Sequence, residues 1–186
     1  MPHGGERWWS TRSSSGNKAV PVENELKYIL PLDFDPKALD GWRRHDIRQA
    51  YLDDGPRIRQ IDADHLFTYK RWIPQAAELI EIETAITAED FELLWPLRVE
   101  SLQKTRFVCD IGDVEWVIDF LKDDPGQVYF VLAEAEMPRH QTAPDEIPAE
   151  IADRILYAVG AGDARFTNKK LANPAHAAKL YRTIAG

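Results

Sequence analysis

From residue 22 onward, apolar side chains return at every second position in eight separate runs. They are 22–30 (VENELKYIL), 45–52 (HDIRQAYL), 57–61 (RIRQI), 66–72 (LFTYKRW), 78–86 (ELIEIETAI), 102–111 (LQKTRFVCDI), 114–121 (VEWVIDFL) and 127–137 (QVYFVLAEAEM). A period of two places alternate side chains on opposite sides of an extended chain, so each run predicts a β-strand. DADH, between 57–61 and 66–72, suits a tight hairpin connection, and DPG marks a turn before the last run. Helical spacing is confined to a few places. Thr87 caps TAEDFELLWP, where Phe91, Leu94 and Trp95 share a face and Pro96 stops the run. PAEIADRILYAV (148–159) and PAHAAKLYRTIA (174–185) also read as helices. Consecutive antiparallel strands with a few helices predict an α+β domain on a closed or strongly curved sheet.

In these strands the other side is charged. Glu23, Glu25 and Lys27 alternate with Asn24 and Leu26; Arg57 and Arg59 flank Ile58; Glu81 and Glu83 flank Ile82. Lys104 and Arg106 flank Thr105, and Glu134 and Glu136 flank Ala135. Lys70 and Asp119 lie inside strands of their own. Taken singly, each pair suits the solvated face of a half-buried sheet. Taken together they do not, because like charges two apart in one strand repel unless something of opposite sign lies between them. Carboxylate pairs collect hard divalent cations, and Lys and Arg pairs collect phosphate. An interior lined by both would hold a polyanion together with its metal. Within it, Glu23 and Glu25 would keep Lys27 protonated, while burial would pull the other way.

Composition narrows the classes. The chain has 186 residues, enough for one domain with a sizeable core, and its 44% hydrophobic and 29% charged residues are those of a globular protein. Residues 1–20, rich in Gly, Ser and charge and without a period, read as a flexible leader to a single domain at 21–186; the leader's Trp8 and Trp9 are assigned no chemistry. A net charge of −8 argues against a general nucleic-acid or membrane-surface binder. The single cysteine, Cys109, excludes an intrachain disulfide and a multi-cysteine zinc site, and a reducing cytoplasm is the expected location.

The ordered set of motifs resembles one family. ENELK at 23–27 is similar to the Glu-x-Glu-x-Lys signature of the first strand in triphosphate tunnel metalloenzymes, the CYTH superfamily. RQAYL, RIRQ, FTYKR, IEIE, QKTRF, VIDFL, LAEAEM and RFTNKKLA follow in the family's order over residues 20–172. FELLWP followed by QKTRF further resembles compact bacterial members acting on inorganic tripolyphosphate. The resemblance implies an antiparallel eight-stranded closed β-barrel, open at both ends, with charges pointing inward and a few flanking helices. It implies that Glu23, Glu25, Asp119, Glu134 and Glu136 hold one or two Mg²⁺ or Mn²⁺ ions. Lys27, Arg57, Arg59, Lys70, Lys104, Arg106 and Lys169 would grip the triphosphate, with Lys27 and Glu25 closest to the chemistry. Glu81 and Glu83 match a family carboxylate pair of less settled role. The partner would be a small-molecule triphosphate or inorganic polyphosphate, and a homodimer is compatible with it.

Three other readings share these residues. An adenylyl cyclase needs a base pocket that no segment clearly supplies. A thiamine triphosphatase needs an aromatic platform, for which Trp42 and Trp72 are the candidates. A non-catalytic polyphosphate binder would gain nothing from five inward acids.

Overall fold

The computed structural model describes residues 24–53, 55–73 and 78–186. The expected leader, with Trp8 and Trp9, lies outside the described residues, and so does Glu23. Strands form at all eight predicted places: β1 (Glu25–Leu30), β2 (Arg43–Leu52), β3 (Arg57–Ile61), β4 (Asp64–Ile73), β5 (Glu78–Ala85), β6 (Arg98–Ile111), β7 (Val114–Lys122) and β8 (Val128–Glu136). Helix α1 (Ala88–Leu94) starts where the sequence places it. Thr87 Oγ1 accepts from the Asp90 backbone N–H, while Asp90 Oδ2 accepts from that of Thr87, so two otherwise unpaired donors at the helix start are satisfied.

The segment 148–159 departs from expectation. Only α2 (Ala149–Ala152) is helical, and the chain then extends into a ninth strand, β9 (Tyr157–Val159). The reason is a free edge. β1 pairs with β8 on one side, and its other side offers unmet backbone groups to whatever lies beside it. Leu156 N–H donates to the Ile29 carbonyl at 2.9 Å, and Lys27, Tyr28 and Ile29 pair with Val159, Ala158 and Tyr157. Beyond β9 come α3 (Asn168–Leu171) and α4 (Pro174–Ala185), the latter capped by Asn173.

The sheet is antiparallel in the order β5-β4-β3-β2-β6-β7-β8-β1-β9. It is therefore an open sheet of nine strands, and the expected closed eight-stranded barrel is not formed. Closure would require β1 to pair with β5, but β9 occupies that edge. A chain of side chains crosses instead: from α3, Asn168 Oδ1 accepts from Lys104 Nζ on β6 at 3.3 Å, and Lys169 Nζ stands 5.8 Å from the Tyr51 ring on β2.

Apolar packing covers the outer face in two places. Tyr28, Phe107, Trp116, Ile118, Phe120 and Ala133 lie beneath Phe34, Leu39 and Ile151, while Ala50 and Ile58 lie beneath Phe91 of α1. A third cluster is on the inner face: Ile29, Leu121, Phe130 and Leu132 pack against Phe166, Leu171, Ala177 and Leu180, so α3 and α4 seal one end. A small buried group of Ile47, Ile61 and Leu66 also lies on the inner face, and around it the inner face carries the charged and polar residues. No helix among the described residues is long and apolar enough to cross a membrane.

Candidate functional site

Strand register decides which side chains share the inner face, because directly paired residues point the same way. Glu25 pairs with Glu136 and Lys27 with Glu134 across β1 and β8; Glu136 pairs in turn with Glu115 on β7. Asp119 pairs with Arg106, and Lys104, two residues back on β6, pairs with Ile47. Gln49 faces Arg59, Tyr51 faces Arg57, Arg57 faces Thr68, Thr68 faces Glu83 and Lys70 faces Glu81. Every described strand residue expected in the site therefore lies on one face of one sheet. Lys169 joins from α3 through its contact with Tyr51.

The β1 and β6–β8 side is tightly paired. Asp119, with no exposed surface, accepts from Arg106 Nε at 2.8 Å, Arg106 Nη2 at 2.7 Å and Lys104 Nζ at 2.5 Å. Burial alone would raise the Asp119 carboxyl, but the two cations hold it well below the usual carboxylate range. Burial also works against charge on Arg106, and there Asp119 and Glu134 outweigh it and raise the guanidinium further. Lys104 falls the other way, to about 8, because burial and the neighbouring Arg106 outweigh its carboxylate contacts. Lys27 sits between Glu134 at 2.5 Å and Glu25 at 2.7 Å; these overcome burial and push it up to about 12, the direction expected from the sequence.

The basic group on β3 is differently placed. Arg59 Nε donates to Gln49 Oε1 at 3.2 Å, and among the described residues no carboxylate pairs with it. Burial and the nearby Arg57 and Arg106 pull it down to about 9. Arg57 reaches Thr68 Oγ1 at 3.3 Å and Glu83 at 3.7 Å, while its buried Nε–H has no acceptor. An enclosed pair of guanidiniums with unmet donors is the arrangement that an incoming anion satisfies.

The acids do not all gather. Glu81 pairs with Lys70 at 3.2 Å and Glu83 accepts from Thr68, so this pair stands on the β5 edge, away from Glu25, Glu134 and Glu136 in the strand order. Asp119, expected as a metal ligand, has both oxygens taken by cations. Among the described residues, no three acidic, His or Cys side chains are gathered as a ready metal cage. The donor chemistry nevertheless fits a hard divalent ion. Glu25, Glu136 and Glu115 share one register row, three like charges that favour a cation among them, and Lys27 already supplies one for Glu25. Trp42 packs against the outer core and is no aromatic platform; Trp72 shares the face of Lys70 and is 50% exposed.

Sequence reasoning missed Gln49, Tyr51, Glu100 and Glu115. Each alternates with outer-face residues as the chosen charges do: Gln49 and Tyr51 lie inside the quoted RQAYL, and Glu115 is four residues before Asp119. They are single residues rather than like-charged pairs, so a search for pairs passes over them.

No protein-family profile matches the chain, and no curated protein matches it. Among solved structures it is similar to the hypothetical protein NE1496, with 26% identity over 81% of this chain and 97% of that one and a TM-score of 0.57. It is also similar to PH1012 of Pyrococcus horikoshii OT3, with 15% identity, coverage of 65% and 81%, and a TM-score of 0.47. A third likeness is to a Bacillus halodurans protein provisionally described as an adenylate cyclase, with 16% identity, coverage of 62% and 80%, and a TM-score of 0.41. With TM-scores below one half, the last two carry no weight for this chain. The first spans nearly all of NE1496, so the two proteins share a fold, and the name of NE1496 states no activity.

Proposed function

We propose that this chain binds inorganic tripolyphosphate or a related triphosphate on its inner face and hydrolyses the terminal phosphoanhydride with the help of Mg²⁺ or Mn²⁺. The observation that carries this reading is Arg59, enclosed beside Arg57 and Arg106, which donates to the amide oxygen of Gln49 and, among the described residues, is paired with no carboxylate. Keeping three guanidiniums together costs stability unless an anion of high charge occupies the space. The motif order that resembles triphosphate tunnel enzymes supports the same anion.

Arg57, Arg59, Arg106 and Lys169 would hold the non-bridging oxygens, and Lys70 would meet the anion nearer the β5 edge. Lys27, kept cationic by Glu25 and Glu134, would stabilise the equatorial oxygens of the transferred group. Glu25, Glu134 and Glu136 would hold the divalent ion, which when bound draws charge from the bridging oxygen. A water oxygen attacks the terminal phosphorus, the bond to the bridging oxygen breaks, and pyrophosphate leaves. The water's proton passes to a non-bridging oxygen of the phosphate it joins, while Lys104, an ammonium at neutral pH held by Asp119, would add positive charge beside the phosphate chain. No covalent nucleophile is needed. Adenylyl cyclisation would use the same cations but also needs a seat for a base.

The test is incubation with tripolyphosphate, ATP and thiamine triphosphate, each with Mg²⁺, Mn²⁺ or EDTA, reading phosphate, pyrophosphate and cyclic AMP. Metal-dependent release of phosphate from tripolyphosphate is expected. Cyclic AMP without phosphate release would move the assignment to the cyclase, and turnover undiminished in EDTA would remove the metal.

A further inference from the structure

Along β6 the inner-face residues run Arg106, Lys104, Leu102, Glu100, so the sign of the charge reverses within six residues. Glu100 stands at one end of a single register row, Glu100–Tyr51–Arg57–Thr68–Glu83, which crosses β6, β2, β3, β4 and β5. Two polar atoms in that row are buried without a hydrogen-bond partner: the Arg57 Nε–H, a donor, and Glu100 Oε2, an acceptor. Tyr51 lies between them, with its hydroxyl accepting from Gln49 Nε2 at 2.7 Å, and the fields of Arg57, Arg59 and Glu100 all reach it. An ionised phosphate answers the Arg57 donor. It cannot answer Glu100 Oε2, which needs a donor and repels a further negative charge.

We propose that Glu100 is a specificity-determining residue that ends the phosphate track at Arg57, so that the site accepts a chain of three phosphates and rejects a fourth. This rests on the triphosphate reading above. Discrimination of this kind comes from a repulsive element placed against the wrong ligand rather than from tighter contacts to the right one. The Arg59, Arg106 and Lys104 grip is common to both lengths of chain, and only the extra phosphate would meet Glu100. The outer rim of the row supports the same limit, because Glu83 beyond Thr68 presents a second carboxylate on the far side of Arg57.

The experiment compares binding of tripolyphosphate and tetrapolyphosphate by calorimetry, with Ca²⁺ or Mg²⁺ at fixed concentration, for the wild-type chain, Glu100→Gln and Glu100→Ala. The wild type is expected to bind tripolyphosphate about tenfold more tightly. Both variants should close most of that gap by gaining affinity for tetrapolyphosphate, with tripolyphosphate binding unchanged within about twofold. Glu100→Gln keeps the shape, and melting curves for both variants establish that the fold is retained. An unchanged preference in two folded variants overturns the role of Glu100 and leaves the triphosphate site standing. A wild-type chain that binds neither anion overturns the triphosphate reading and this inference with it.

Discussion

The two flanks of the inner face arise from the same alternation of charge and apolar residues, yet they differ in what surrounds the charges. On the β6–β8 side Asp119 is fully buried among Lys104 and Arg106, and the outer face beneath it carries Trp116, Ile118 and Phe120. On the β4–β5 side Lys70 and Glu81 each keep a third of the side chain exposed, and the outer face carries Ile80 and Ile82 at 40% and 54% exposure. A buried charge network is fixed before any ligand arrives, and its electrostatic terms are large in both directions. An exposed ion pair is screened and mobile. The difference assigns preorganisation to β6–β8 and adjustment to the β5 edge.

The sharpest way to break this contrast is Asp119→Asn. The substitution keeps the shape and leaves two buried cations without their carboxylate. Breaking a buried network in this way costs about 3–5 kcal/mol, which lowers the melting temperature by about 10 °C in a chain of this length. Thermal unfolding measures it. A midpoint within the error of the wild type would mean that the β6–β8 charges are no more coupled than those on the edge.

A pH scan isolates Lys104. Its folded value of about 8 lies below the ordinary 10.5, so at pH 7 both folded and unfolded chains carry the proton and the burial penalty is present in full. Between pH 8 and 10.5 the unfolded chain binds more protons, and stability rises with pH by up to about 3 kcal/mol from this group. Lys27 has the opposite sign, but its contribution is lost only as pH climbs from 10.5 through about 12. Urea unfolding at pH 7.5 and 9.5 should show the rise in the wild type and its loss in Lys104→Met. A fall in stability over that range in the wild type would place Lys104 in solvent.

How much of this was legible follows from the same contrast. All eight runs of period-two alternation became strands, and every described strand residue chosen for its charge, from Glu25 to Glu136, lies on one face. Alternation reports sidedness, and that information is local. The openness of the sheet is not local. It depends on whether 155–159 adds to β1, and a short apolar run such as ILYAV fits a helix or an edge strand equally until a free edge is present. Pairing was equally hidden. Glu81–Glu83 and Glu134–Glu136 look alike in sequence, but only the register puts the second pair beside Lys27 and Arg106 and leaves the first on the rim. Asp119 shows the limit for roles, since its inward placement was readable and its engagement by two cations was not.

Arg59 offers a smaller and more selective effect. Among the described residues its guanidinium is paired with no carboxylate, so Arg59→Met should leave the melting temperature unchanged or slightly higher while weakening tripolyphosphate binding by about 1.5–3 kcal/mol, the range for hydrogen bonds to charged groups. Calorimetry and melting on one preparation separate the two quantities. Loss of stability with full retention of binding would make Arg59 a packing residue and dissolve the basic half of the site.

The smallest effect belongs to the β5 edge. Glu81 meets Lys70 at 3.2 Å with both side chains a third exposed, and pairs of this kind contribute about 0–1 kcal/mol. Glu81→Gln should therefore shift the melting temperature by no more than about 2 °C. Its influence on the anion runs the other way from that of a metal ligand: removing a negative charge beside Lys70 should leave tripolyphosphate affinity equal or modestly higher, and more so at low salt, where screening is weakest. Turnover with Mg²⁺ should stay within a few-fold of the wild type. A loss of orders of magnitude in turnover, rescued by raising Mg²⁺ or Mn²⁺, would instead make the edge carboxylate a ligand of the catalytic ion. The β5 edge would then have to move against the β6–β8 flank during the reaction, and the division into a fixed and an adjustable side would need to be redrawn as one site that assembles around its metal.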